Sequence, residues 1–245
     1  MKVPLNISIP LLLSMVCVGL FVFSHGSNAF AAAHGHGGLT KPKPEGRPIV
    51  PRRVLILPDS RAKVSEHEDL WHHQLKARVL SENVEVTIED MPDPYSFNTK
   101  RYESFWINFM SEELDLCPAT LVVAHGTAAD ACLRFVENHE IWGAVLVCPG
   151  GELYHAGERH GRAYVWPRVR RGCQWIAMVH GVGDPVVGDA EARRVSDALG
   201  IPRGLFREVP GGTQRFRNSP GSLLEVEDLV VSTLTSLPPP LLDGS

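Results

Sequence analysis

The segment Ala124-His125-Gly126-Thr127-Ala128 has the spacing that points most directly at chemistry. It follows the apolar run Leu121-Val122-Val123 and precedes a helix-like stretch from Ala128 to Val136. A sharp strand-to-helix turn with small residues two places either side of its apex is the layout of a nucleophile elbow, G-x-S-x-G. The small residues are needed because strand and helix approach closely there, and Ala124 and Ala128 meet that need. The apex is Gly126, which has no side chain. Glycine accepts strained dihedrals cheaply, so the turn can persist where nucleophilic attack cannot. Taken alone, the motif is read equally well as an ordinary strand-to-helix turn.

Two more groups would complete acyl-transfer chemistry. The candidate acid is Asp184, in Gly183-Asp184-Pro185-Val186 after the apolar run Ile176 to Val179. A loop or helix-capping aspartate is its plainer reading. The base should come later, because this elbow is followed along the chain by the acid and then by histidine. No histidine follows His180. Pro210-Gly211-Gly212-Thr213, after the last strand-like run, puts Thr213 where the base would stand. Three residues could rescue the chemistry: His125, Thr127 and His180. The Thr127 hydroxyl comes one position late, and shifting the register would put bulky His125 where a small residue is needed. The Thr127 backbone N–H is the oxyanion-type donor. His125 and His180 also read as satisfied structural histidines. Ser60 and Ser65 have no evident base partner.

Positioning these residues requires alternating strands and helices. Val54-Leu55-Ile56-Leu57, Val84 to Ile88, Leu121 to Val123, Val145 to Val147, Ile176 to Val179 and Leu205 to Val209 read as strands. Leu70 to Leu80, Tyr102 to Leu114, Ala128 to Val136, Ala190 to Leu199 and Leu223 to Leu234 read as helices, with Trp71, Leu75 and Trp106, Met110 among their apolar stripes. Fully apolar strands alternating with helices predict an α/β fold, with a mostly parallel sheet covered on both faces. Ligand sites in such sheets lie beyond the carboxyl ends of the strands, where the residues above fall.

The ends of the chain read differently. Ile9 to Phe23 is uncharged, and small residues follow at Ser27 to Ala29 and Ala31 to Ala33. Residues 1–33 therefore read as a signal peptide, directing the chain to the secretory pathway or to secretion. A membrane anchor is the alternative, since a span needs about 20 apolar residues, and mitochondrial targeting is a third. Residues 34–52 form a Pro/Gly-rich linker, whose His34 and His36 read as solvated. Residues 53–236 form the domain and 237–245 a tail. The net charge of -4 argues against nucleic acid. Cys117, Cys132, Cys148 and Cys173 lie on or beside apolar runs without C-x-x-C spacing, and read as core thiols, with a disulfide as the alternative. No cofactor or metal is expected.

Several further segments carry a resemblance. They are Met91-Pro92-Asp93-Pro94, Glu103 to Met110, Leu133 to His139, Ala144 to Val147, Trp166-Pro167, Cys173 to Ile176 and Gly183-Asp184-Pro185. In this order they resemble the family of small serine hydrolases typified by retinoblastoma-binding protein nine, from about residue 53 to residue 236. The resemblance implies an α/β-hydrolase-like three-layer sandwich, and it maps the nucleophile to Gly126, the acid to Asp184 and the base to Thr213. Only the acid has its expected side chain. The family's glycine-rich loop after the first strand, part of its oxyanion hole, reads here Pro58-Asp59-Ser60-Arg61-Ala62. Asp59 would place a negative charge where one develops in catalysis, which is the wrong sign. The expectation is a non-catalytic relative that binds or scaffolds an unknown protein partner; a hydrolase of small esters or amides with non-standard residues is the alternative.

Overall fold

The computed structural model describes residues 50–60, 63–64, 67–82, 84–92, 102–150, 153–155, 158–160, 163–210, 216 and 223–236. The N-terminal targeting segment, residues 34–49 of the linker, Ser65, Thr213 and the tail lie outside the described residues.

Strands Arg53–Leu57 (β1), Glu85–Ile88 (β2), Thr120–His125 (β3), Ile141–Val147 (β4), Cys173–Val182 (β7) and Phe206–Pro210 (β8) form one sheet. Its order is β2-β1-β3-β4-β7-β8, and every pairing is parallel. A separate antiparallel ribbon, Leu153–His155 (β5) with Glu158–His160 (β6), is inserted between β4 and β7. The central strands β3 and β4 are buried at every position. Both faces of those strands are covered, which is why their sequences are continuously apolar rather than alternating.

Two layers of helices provide the cover. Trp71–Leu80 (α1) and Leu224–Ser236 (α6) pack on the face formed by Val54, Ile56, Leu121, Val123, Val145 and Val147. Tyr102–Asn108 (α2), Thr127–Phe135 (α3), Trp166–Gly172 (α4) and Asp189–Leu199 (α5) pack on the opposite face, formed by Leu55, Leu57, Val122, Ala124, Ala144 and Leu146. Helix α1 buries Trp71, Leu75 and Val79, one per turn, at roughly 1.5–3 kcal/mol of hydrophobic stabilisation for each large apolar side chain. Leu80, the last residue of the stretch read as this helix, is exposed, because the buried row runs at four-residue intervals from Trp71.

The sequence reading missed helix α4 and strands β5 and β6. Helix α4, Trp-Pro-Arg-Val-Arg-Arg-Gly, has buried positions only at Val169 and Gly172, so it carries no apolar period. Strands β5 and β6 have three residues each, too few to alternate visibly. The single helix expected from Tyr102 to Leu114 ends in a π-helical turn, Phe109–Glu113, closed by the Leu114 N–H donating to the Phe109 carbonyl at 3.0 Å. Cys117, Cys132, Cys148 and Cys173 are free thiols. Burial pushes the Cys132 thiol up to about 12. Among the described residues no helix is long and apolar enough to cross a membrane.

The sheet order places the site. The chain runs from β1 outward to β2, then returns to lay β3 on the other side of β1. The direction of winding therefore reverses between β1 and β3, and in such sheets the crevice opens at that reversal. The loop after β1 and the turn after β3 meet there.

Candidate functional site

Gly126 stands between β3 and α3 with φ 56° and ψ -121°. This backbone is strained for any residue with a Cβ. The turn is therefore an elbow in geometry as well as in spacing, and glycine relieves its strain. The Gly126 N–H donates to the Val147 carbonyl at 2.8 Å, which ties the apex to β4. Its carbonyl accepts from the Ala129 and Asp130 N–H groups at 3.0 and 3.2 Å, opening the helix. The flanking Ala124 and Ala128 are wholly buried, as the close approach of strand and helix demands.

The loop after β1 fills the space in front of the apex. A Cβ on Gly126 would fall 2.1 Å from Asp59 Oδ2. The Thr127 N–H, read from the sequence as an oxyanion-type donor, faces the same carboxylate oxygen at 3.4 Å. Asp59 is only 3% exposed. The Thr127 hydroxyl turns toward this loop, accepting from the Ser60 N–H at 3.0 Å and donating to Ser60 Oγ at 2.8 Å. A second carboxyl, Asp130, lies one helical turn beyond the apex and accepts from the Gly150 N–H at 2.8 Å. Burial pushes it well above the usual range; the Gly150 N–H and Arg134 oppose that shift, and Asp59 adds to it. The Asp59 carboxylate facing the Thr127 N–H disfavours a developing oxyanion there.

Asp184 lies past the carboxyl end of β7 and is buried. Its Oδ1 accepts from the Val186 and Val187 N–H groups at 2.7 and 3.1 Å, closing a tight turn. Cys148, at the end of β4, accepts from the Gly181 N–H at 3.4 Å. Burial pushes its thiol far up, and neighbouring Asp184 adds to the shift against the Gly181 N–H, so it carries no thiolate at neutral pH.

The two candidate histidines lie apart. His180 is buried, with Nε2 3.1 Å from Asp189 Oδ1, and the Gly183 N–H donates to the same oxygen at 3.0 Å. It fastens the end of β7 to the start of α5. His125 is buried on the α1 side, edge-on to Trp71 with ring centroids 5.8 Å apart, and 5.7 Å from His72. Sequence reasoning missed His72, which stacks on Trp71 at 3.8 Å. Burial pushes its imidazole well below the ordinary value, with His125 and then His73 adding to the shift. The Trp71 indole N–H in turn donates to the Phe216 carbonyl. Only the helical position of His72, next to Trp71, could have signalled this cluster. Gly126, Thr127 and Asp184 thus fall at one edge of the sheet, with His125 packed beneath it and His180 paired elsewhere.

A parallel sheet of this order, with an elbow at its reversal and an acid beyond β7, defines the α/β-hydrolase fold. Solved structures agree. The ydeN gene product of B. subtilis superposes with a TM-score of 0.60 at 20% identity, covering 75% of this chain and 99% of that one. The hydrolase olei00960 of Oleispira antarctica superposes with a TM-score of 0.52 at 10% identity, covering 76% and 92%. No protein-family model matches the chain. Within the fold, the sequence is similar to that of the serine hydrolase RBBP9 of Rattus norvegicus. The two are 28% identical over 116 residues, which span 45% of this chain and 60% of the relative.

Proposed function

We propose that this chain is a non-catalytic member of the serine-hydrolase-like proteins, acting as a binding or scaffold module for a protein partner. Gly126 carries the reading: the apex of the elbow has the strained dihedrals of a nucleophile position and no side chain to attack with. The base supports it too, since no histidine follows His180. Removing the serine or the histidine of a triad hydrolase costs on the order of 10⁶ in rate. Asp184 has a fold-level reason to be present without them, because it closes its own turn. The uncharged run from Ile9 to Phe23 supports a role in the secretory pathway or at a membrane.

One observation favours a second reading. The hydroxyls of Thr127 and Ser60 are hydrogen-bonded beside the elbow, and a base reaching them would make a hydrolase of small esters or amides with non-standard residues. Labelling with a fluorophosphonate probe, alongside ester hydrolysis, separates the two. The parent protein should neither label nor hydrolyse above background. Gly126→Ser and Thr213→His should do little singly, because triad members act as a unit. The pair should label first in an Asp59→Gly background. Robust labelling of the parent, abolished by Thr127→Ala, would overturn the non-catalytic reading. Capture from the natural source with mass spectrometry then identifies the partner.

A further inference from the structure

The deleted nucleophile has not left a hole. The ideal Cβ of residue 126 would lie 2.1 Å from Asp59 Oδ2, 3.0 Å from its Cγ and 3.2 Å from its Cβ. Non-bonded heavy atoms find their optimum at roughly 3.5–4 Å, so the carboxylate and a side chain at 126 cannot share this space. The carboxylate is also favourably placed. It lies at the amino end of α3, a nine-residue helix, with Oδ2 toward the Thr127 N–H, and helix amino termini favour negative charge. The neighbouring residue fastens the loop, since Ser60 makes two hydrogen bonds with the Thr127 hydroxyl.

We infer that Asp59 is an autoinhibitory residue: its carboxylate takes the place of the missing nucleophile and occupies the oxyanion donor in cis, so that Asp59 and Gly126 form a mutually dependent pair. The inference deepens the non-catalytic reading and rests on its assignment of Gly126 as the elbow apex. Two independent blocks follow. Glycine removes the attacking group, and Asp59 denies the Thr127 N–H to any carbonyl oxygen or anionic ligand. The pairing is reciprocal. A side chain at 126 evicts the carboxylate, and removing the carboxylate leaves the Thr127 N–H facing a vacated polar cavity.

Thermal unfolding of four full-length proteins tests the pair: the parent, Asp59→Gly, Gly126→Ala and the double variant. Each single change should lower the Tm. The double variant should melt about 5 °C above Gly126→Ala, because the alanine no longer meets the carboxylate. Losses that simply add would overturn the inference. Should Gly126→Ala fail to fold, Asp59→Gly tests the same claim alone. Sodium acetate or formate should raise the Tm of Asp59→Gly by refilling the carboxylate position, and should leave the parent unchanged relative to sodium chloride at equal ionic strength. Equal shifts in both proteins, or none in the variant, would overturn it. These readouts involve no turnover. Ester hydrolysis by the parent would remove the non-catalytic reading and the blocking role of Asp59 and leave its steric pairing with Gly126 intact, whereas additive losses in an inert parent would remove the pairing alone.

Discussion

The turn after β3 and the loop after β7 lie at the carboxyl end of the sheet, two strands apart, and the proposed function reads them as two triad positions. At the first, the backbone keeps its strained elbow and the side chain is gone. At the second, the side chain is present and buried. The difference lies in what each group does for folding. Asp184 satisfies two backbone N–H groups of its own turn, and unpaired buried donors are costly. An apex side chain at 126 satisfies nothing in the fold and strains the backbone. Folding energetics therefore hold the aspartate and favour glycine, whatever the chemistry requires.

The contrast breaks most readily at the apex. Gly126→Ser should lower stability in urea unfolding by about 3 kcal/mol, the upper end for a residue held in a sparsely allowed region, because the side chain must also displace Asp59. A serine variant as stable as the parent would mean that the turn stores no strain. A somewhat smaller effect tests the other side. Asp184→Ala should cost about 2 kcal/mol through the loss of its two N–H contacts. An unchanged midpoint would leave the aspartate with no structural reason to be there.

The smallest effect concerns the floor of the elbow, where His72 packs against Trp71 and near His125. Burial holds His72 below the ordinary imidazole value of 6.5. The unfolded chain thus binds this proton more readily than the folded one. Its contribution is fully present above pH 6.5 and is lost as the pH falls below it. His72→Leu should flatten that acid slope by at most about 1.4 kcal/mol per pH unit. Parallel stability curves for the two proteins between pH 7 and pH 5 would show that His72 does not titrate on unfolding.

Much of the architecture was legible in the chain. The continuous apolar runs of β3 and β4 predict strands buried on both faces, and both strands are buried throughout. The four described cysteines are free thiols, as their place on or beside apolar runs suggested. Helix α4 and the β5–β6 ribbon were illegible because their residues carry no apolar period. His72 was illegible because a histidine within a helix pattern reads as polar. Its burial depends on Trp71 and His125 meeting across two elements.

By itself, the sequence determined which side chains are available: residue 126 is glycine, and no histidine follows His180. No packing changes either fact. It also determined the layering, since apolar periods report which faces must be covered. Only the tertiary structure decided what faces Gly126. Ser60 and Thr127, 67 positions apart, become hydrogen-bond partners because the winding reverses between β1 and β3. The same reversal sets Asp59 against Gly126. Strand order is a property of the whole sheet, set by how all its faces are covered together, so no local pattern around Asp59 or Gly126 encodes their meeting.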